Sequence, residues 1–204
     1  MSKIKLTKNE LKLQRDGLKR FQLYLPTLQL KQQQLQAEVS QIRESLAALD
    51  RELQEEYKRN QQNLGLFSLP AASGLAGLLE VSDWQVGTHN VAGTDVPVFV
   101  SLTFAELPYD LFSTPLWFDE ALAMLKKQIE LRLRRQLIEE QLELLGMELR
   151  IVTQRVNLFE KVKIPEALDN IRRINIYIGD QQTNSVGRSK IAKKKCQIRD
   201  AALA

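Results

Sequence analysis

Leu28, Leu35, Ile42 and Leu49 stand seven residues apart, and Val39, Leu46 and Leu53 keep the same spacing four residues on. Apolar residues at alternating steps of four and three form a narrow seam on one side of an α-helix, and such a seam has to be covered by another helix. Followed backwards, the two phases collect Phe21 and then Leu25, Leu18, Leu11 and Ile4. A helix from about Ile4 to Gln62 would run roughly 90 Å at 1.5 Å per residue. The second half of the chain repeats the pattern. Ile138, Leu142, Leu145, Leu149, Val152, Val156 and Phe159 alternate four and three apart, and Phe118, Leu122, Leu125 and Ile129 lead into them. Between Ile129 and Ile138 the phase shifts at Arg132, Arg135 and Gln136, which locally alters a supercoil. Pro165 interrupts the helical pattern, and a displaced seam resumes with Leu168, Ile171 and Ile178. By its seam this helix spans Pro115 to about Gly179, with Thr114 as its cap and Pro115 at its first position.

Between the two helical halves the texture changes. "GLFSLPAASGLAG" brings Gly, Pro and Ser, with a short helix expected over "SGLAGLLEV". Trp84, Val86 and Thr88 then alternate with polar or small residues, as do Val96, Val98, Val100 and Leu102 beyond "AGTD". Two such runs across a tight turn read as a β-hairpin. A lone hairpin is marginal in water and needs a helix or a partner to pack on.

The predicted fold is therefore all-α dominated. N- and C-terminal segments form a long antiparallel two-helix coiled coil, and a small module with a β-hairpin and a short helix lies between them. Segment bounds are 1–63 for the first helix and 64–114 for the central module, with the hairpin at about 84–104. The second helical segment is 115–195 and the tail 196–204. Matching the seams pairs Ile42 with about Ile138 and Leu28 with about Val152. That register is expected to set Pro26 roughly opposite residue 160, near the level of Pro165, so that the two prolines kink the paired helices at one height.

Charge supports a chain that folds back on itself. Of a net +4, residues 1–20 hold +5 and residues 187–204 hold another +5, leaving −6 for the middle. The basic ends carry Lys3, Lys5 and Lys8, and Arg188, Lys190, Lys193, Lys194 and Lys195. Such ends suit an acidic surface, a nucleic acid or simply solvent. No aromatic residue interleaves them, so base stacking has no platform.

Catalytic and cofactor chemistry finds little to work with. There is no G-x-x-x-x-G-K-[ST] phosphate loop. His89 and Cys196 are the sole histidine and cysteine and lie far apart in sequence, so neither a nucleophile–base pair nor a zinc site can be built locally. One cysteine also excludes an internal disulfide and fits a reducing cytoplasm. No apolar run reaches the ~18 residues that span a bilayer, and the N-terminus lacks a signal-peptide core. No enzyme, cofactor or metal is expected.

The string "RVNLFEKVKIPEALDNIRRI" resembles the R-V-N-x-x-E-x-x-x-I-P motif of the D subunits of V/A-type (vacuolar-type) ATPases and ATP synthases, carried here by Arg155, Val156, Asn157, Glu160, Ile164 and Pro165. "KLTKNELKLQRDGLKR" is similar to that family's N-terminal helix, "NVAGTDVPVF" to its central hairpin and "GRSKIAKKK" to its basic C-terminal end. Gln32, Gln33 and Gln34 stand where many relatives carry a basic run. The resemblance implies a non-catalytic central rotor shaft, or stalk, that couples ATP synthesis or hydrolysis to proton or sodium transport. Both termini would enter the hexamer of catalytic A and non-catalytic B subunits. The central module, through Trp84, Val86, Val96, Val98 and Val100, would meet the F and C subunits. The implied location is cytoplasmic, peripheral to the membrane through the complex, with no nucleic acid bound. A prefoldin-like chaperone and a nucleic-acid-binding coiled coil are the alternatives. The +5 carried by each end argues against the apolar client-gripping tips of the first.

Overall fold

Thr7 and Glu10 set the start of the first helix. The Glu10 backbone N–H donates to Thr7 Oγ1 at 3.3 Å, which gives one of the helix's orphan donors a partner. Helix α1 then runs Lys8–Asn60 without a break, with Lys58 and Arg59 in its last turn, where cations favour the helix dipole. A 3₁₀ segment, Gln61–Ser68, follows, then short helix α2 (Ser73–Gly77) and strands β1 (Val81–Val91) and β2 (Thr94–Phe104). Helix α3 (Phe118–Leu158) passes through a π-helical turn, Phe159–Lys163, into helix α4 (Ile164–Leu203). This computed structural model describes residues 4–69, 72–105, 108–110 and 114–203. Long helices from both ends of the chain with a central antiparallel hairpin are the architecture the seams predicted.

The chain divides into two units. In the unit formed by residues 31–151, α1 and α3 pair antiparallel. Lys31 Nζ meets Glu148 Oε1 at 2.7 Å, Arg135 Nε meets Asp50 Oδ1 at 2.7 Å, and Lys127 Nζ meets Glu56 Oε1 at 2.6 Å. As one helix ascends in number the other descends. Leu35, Val39, Leu131, Leu137 and Leu145 are buried. Leu131 and Leu137 take over where the sequence phase shifts, because α3 has a second neighbour, the hairpin. Arg134 lies over the Phe99 ring at 4.6 Å, Lys126 over Phe104 at 5.4 Å, and Gln141 Nε2 donates to the Pro97 carbonyl. Lys127, Arg135 and Glu148 serve α1 while Lys126, Arg134 and Gln141 serve the sheet. A helix used on two sides cannot show a single clean seam. At the start of α3, Phe118, Ala121 and Leu122 pack with Leu75 of α2 in a small core that also takes in Phe67, Leu79, Tyr109 and Trp117.

The hairpin turns at Ala92 and Gly93, both with positive φ (49° and 84°), and the Gly93 N–H donates to Asn90 Oδ1 at 3.0 Å. Trp84 pairs with Leu102 and His89 with Val96, and the register slips by one residue between Gln85 and Val86. Thr114 does not cap α3. Its hydroxyl donates to the Asp110 carbonyl at 3.1 Å, and the helix begins at Phe118, whose N–H reaches the Pro115 carbonyl at 3.0 Å.

In the unit formed by residues 1–30 and 152–204, the start of α1 pairs antiparallel with the end of α3, the π turn and α4. The Phe21 and Phe159 rings lie 5.1 Å apart, and Asn170 Nδ2 donates to Gln14 Oε1 at 3.4 Å. These contacts correct the expected position of the prolines. With Phe21 beside Phe159 and Gln14 beside Asn170, Pro165 faces the region of Gly17 and Pro26 faces residues near 154. The two prolines sit at different levels. The seam beyond the π turn also differs from expectation. Val152 to Phe159 is seven residues, Phe159 to Ala167 eight, and Ala167 to Ile174 seven again. The wider turn absorbs the additional residue, so Ala167, Asn170 and Ile174 are buried and Leu168 faces solvent.

Ile174 is fully buried and Leu168 half exposed. Ile174→Ala should therefore cost about 3 kcal/mol in urea unfolding, and Leu168→Ala less than about 1 kcal/mol. The reverse order would put the seam through Leu168.

Candidate functional site

The RVN…E…IP string spans the end of α3, the π turn and the first two residues of α4. Val156 is buried on the seam and Ile164 half-buried, while Arg155, Asn157, Glu160 and Pro165 face outwards. The side chains of Arg155, Asn157 and Glu160 make no hydrogen bond or ion pair among the described residues. The polar members of the motif thus present an outward surface. Pro165 has no N–H for the Lys161 carbonyl four residues back, and the preceding N–H, of Ile164, donates to the Phe159 carbonyl in a five-residue step. Pro26 lies on the outer face of α1, which continues through it. Beside it the Thr27 hydroxyl donates to the Tyr24 carbonyl at 2.8 Å.

Lys5, Lys8, Arg188, Lys190, Lys193, Lys194 and Lys195 are all exposed, and none has an acidic partner among the described residues. Lys3 lies outside the described residues. Leu6 and Lys8 line a shallow groove with Tyr177, Ile178, Gln181, Gln182 and Ser185 of α4. From Val186 onwards α4 continues with nearly every described residue exposed, among them Val186 (56%), Ile191 (60%) and Ile198 (61%). A lone helix of this length is marginal in water. Apolar side chains beside unpaired lysines on such a helix suit a surrounding socket that supplies both contact and counter-charge.

The hairpin residues split into two groups. Val96 is buried, and Trp84 is half-buried with its ring 5.6 Å from that of Phe99. Val86, Val98 and Val100 are exposed. The second group leaves apolar side chains exposed on both faces of the sheet, because Val86 pairs with Phe99 while Val98 pairs with Gly87 one position on. A Cβ at Gly87 would stand 3.0 Å from a Val100 methyl, a tight contact that the exposed Val100 side chain would have to shift to relieve.

Two polar arrangements on the helix seams carry no sequence motif. Glu56 falls seven residues after Leu49, in an otherwise apolar phase, and is buried beside Lys127, with Arg59 Nη1 at 3.0 Å. The Lys127 hydrogen bond holds its carboxyl below the usual range, against the opposing effect of burial. Gln14 falls seven residues before Phe21 and holds the buried Asn170, while its own amide donates to Glu10 at 2.9 Å. The heptad count reaches both positions, and a polar residue at a seam position is the signal that marks them. Elsewhere, Arg135 is held above its ordinary value chiefly by its hydrogen bond to Asp50, and Tyr109 by its hydrogen bond to Asp119. No group of three His, Cys, Asp or Glu residues able to hold a metal occurs among the described residues. No helix among them is long and apolar enough to cross a membrane. The arrangement offers paired helices of fixed register, an exposed basic helix end and exposed apolar residues on the hairpin.

The family model for the D subunit of ATP synthase matches residues 10–194. The D subunit of a V-type ATP synthase from Borreliella burgdorferi is 46% identical over 196 residues, covering 95% of each chain. The protein of the same name from Chlamydia pneumoniae is 36% identical over 199 residues (97% of this chain, 95% of the relative), and that from Chlamydia felis is 37% identical over 204 residues (97% and 96%).

The Glu56 pair has a pH signature. A carboxyl whose folded pKa lies below its ordinary value of 4.5 stabilises the fold above that pH, and the contribution is lost as pH falls through the folded value. Glu56→Gln should lower the urea midpoint at pH 7, with the gap to the parent closing below about pH 4. A gap that persists unchanged into acid would show that the Glu56 charge does not contribute.

Proposed function

The chain belongs to the family of ATP synthase D subunits, and on that premise we propose that it is the central rotor shaft of a V-type rotary ATP synthase. It passes torque between a catalytic A–B hexamer and the ion-translocating ring in the membrane. The chain is part of that complex as a peripheral component, and it performs no catalysis itself. ATP is made or hydrolysed in the hexamer, where each site responds to the face of the shaft that it meets.

The observation that carries this reading is the unpartnered end of the unit that holds both termini. A helix studded with exposed isoleucine, valine and lysine is costly to leave in water, and it gains contact and charge neutralisation on entering the centre of a ring of larger proteins. Paired helices with a fixed register suit the task, because torque applied at one level must reach another without slippage. The outward polar members of the RVN…E…IP string, and the exposed Leu13, Leu23 and Tyr24 on α1, belong to the same contact region. The opposite task, handing torque to other rotor parts, falls to the exposed hairpin valines, Val98 and Val100 on one face and Val86 on the other. The F and C subunits are the partners proposed there. Nucleic acid is not a partner, and the membrane is reached only through the complex.

Two variants in a reconstituted complex separate the tasks. Deleting residues 187–204 should abolish capture by the A–B hexamer and leave binding of the F subunit intact. Replacing Val86, Val98 and Val100 by serine should do the opposite. Retention of hexamer binding by the truncated chain would remove the end of α4 from the contact and overturn the reading.

A further inference from the structure

Three features that the shaft role does not require converge on one short stretch. The first is the π turn itself. Its five-residue step from Ile164 to the Phe159 carbonyl is followed directly by Pro165, so consecutive turns lose regular backbone hydrogen bonding, and none of Phe159–Lys163 is buried. The second is an open groove across from that turn. Gly17 of α1 and Ala167 of α4 lie in its floor, and its space of about 480 Å³ reaches from Phe21 and Lys163 along to Ile4 and Lys5. Space does not demand glycine there, because a Cβ at Gly17 would stand 3.9 Å from the Phe21 ring, an ordinary contact. Glycine nonetheless occupies a helical position that alanine would favour. The third is what brackets the stretch. The Phe21 ring packs at a tilt against Phe159 on one side, and Gln14 accepts from buried Asn170 on the other.

We propose that Phe159–Pro165, together with the Gly17 segment across from it, is a pliant joint built into the paired helices. Twist and bending concentrate there, while the aromatic pair and the Gln14–Asn170 pair keep the register on either side. The additional residue in the π turn is what gives the joint its slack. Prolines and π turns are where long helices kink, and with none of Phe159–Lys163 buried, bending there disturbs no fully buried side chain. The joint is a property of this helix pair and does not depend on what turns it. In a rotor it would let one end of the pair advance before the other follows.

Hydrogen exchange on the full-length chain tests this. Backbone amides of residues 160–168 should exchange at least tenfold faster than those of 148–156 and 170–176. Gly17→Ala, which stiffens α1 without touching the π turn, should narrow the difference several-fold. Pro165→Ala combined with deletion of the exposed Val162 should abolish it by restoring a continuous α-helix. Equal protection across the three stretches in the parent chain would overturn the proposal. So would a difference that Gly17→Ala leaves unchanged. If the deletion variant does not fold, the parent chain and Gly17→Ala still decide the matter.

Discussion

The seam phase that runs Gln14, Phe21, Leu28, Leu35, Ile42, Leu49 and Glu56 is the constraint on which the remaining structure depends. Its apolar middle supplies burial, which is strong but non-directional, so leucine against leucine cannot by itself choose among registers. Its two ends are polar, and each finds a specific partner on the facing helix: Asn170 for Gln14, and Lys127 for Glu56. Sliding one helix by a turn would leave the buried Glu56 carboxylate or Asn170 amide without its partner, a penalty specific to register that leucine packing does not impose. Polar seam residues thus set the register at some expense of stability, as they do in other coiled coils.

With the register fixed, the other parts fall into place. The hairpin lies along α3 because Arg134 and Lys126 offer cationic heads to Phe99 and Phe104 while Gln141 satisfies the Pro97 carbonyl. A two-stranded sheet too small to stand alone is stabilised by a helix that is itself held by α1. Phe99 is thereby held under α3 and Val96 is buried, while Val86, Val98 and Val100 stay exposed. In the unit holding both termini the same register gathers the basic ends of the chain, the feature from which the proposed socket follows.

Much of this was legible in the sequence because heptads state their geometry directly. The four–three spacing announced the helices, the alternation around Ala92 and Gly93 announced the hairpin, and the two basic ends implied a chain that folds back. The π turn was not legible. Pro165 signals that the α-helix is disturbed, but nothing in composition distinguishes a kink from a wide turn. The eight-residue step to Ala167 appears only once the buried residues are known. The same blindness misplaced Leu168 and set the two prolines at one level. Thr114 looked like a cap because Thr-Pro is the usual opening of a helix, yet Phe118 and Trp117 are drawn into the small core with Leu75, and the helix starts where they allow. Of the candidate site, the family string and the basic ends were readable as residues. Their outward orientation, and the division of the hairpin valines into buried and exposed groups, depended on packing that only the folded chain reveals.

The central claim is that the chain turns inside its complex. It is tested most directly by fixing an A–B hexamer to a surface, attaching a probe to a cysteine introduced at the hairpin turn after Cys196→Ser, and supplying ATP. The expected result is continuous rotation of the probe in one direction, stopping when ATP is withdrawn. A chain that remains bound to the hexamer while ATP is hydrolysed, with its probe stationary, would contradict it.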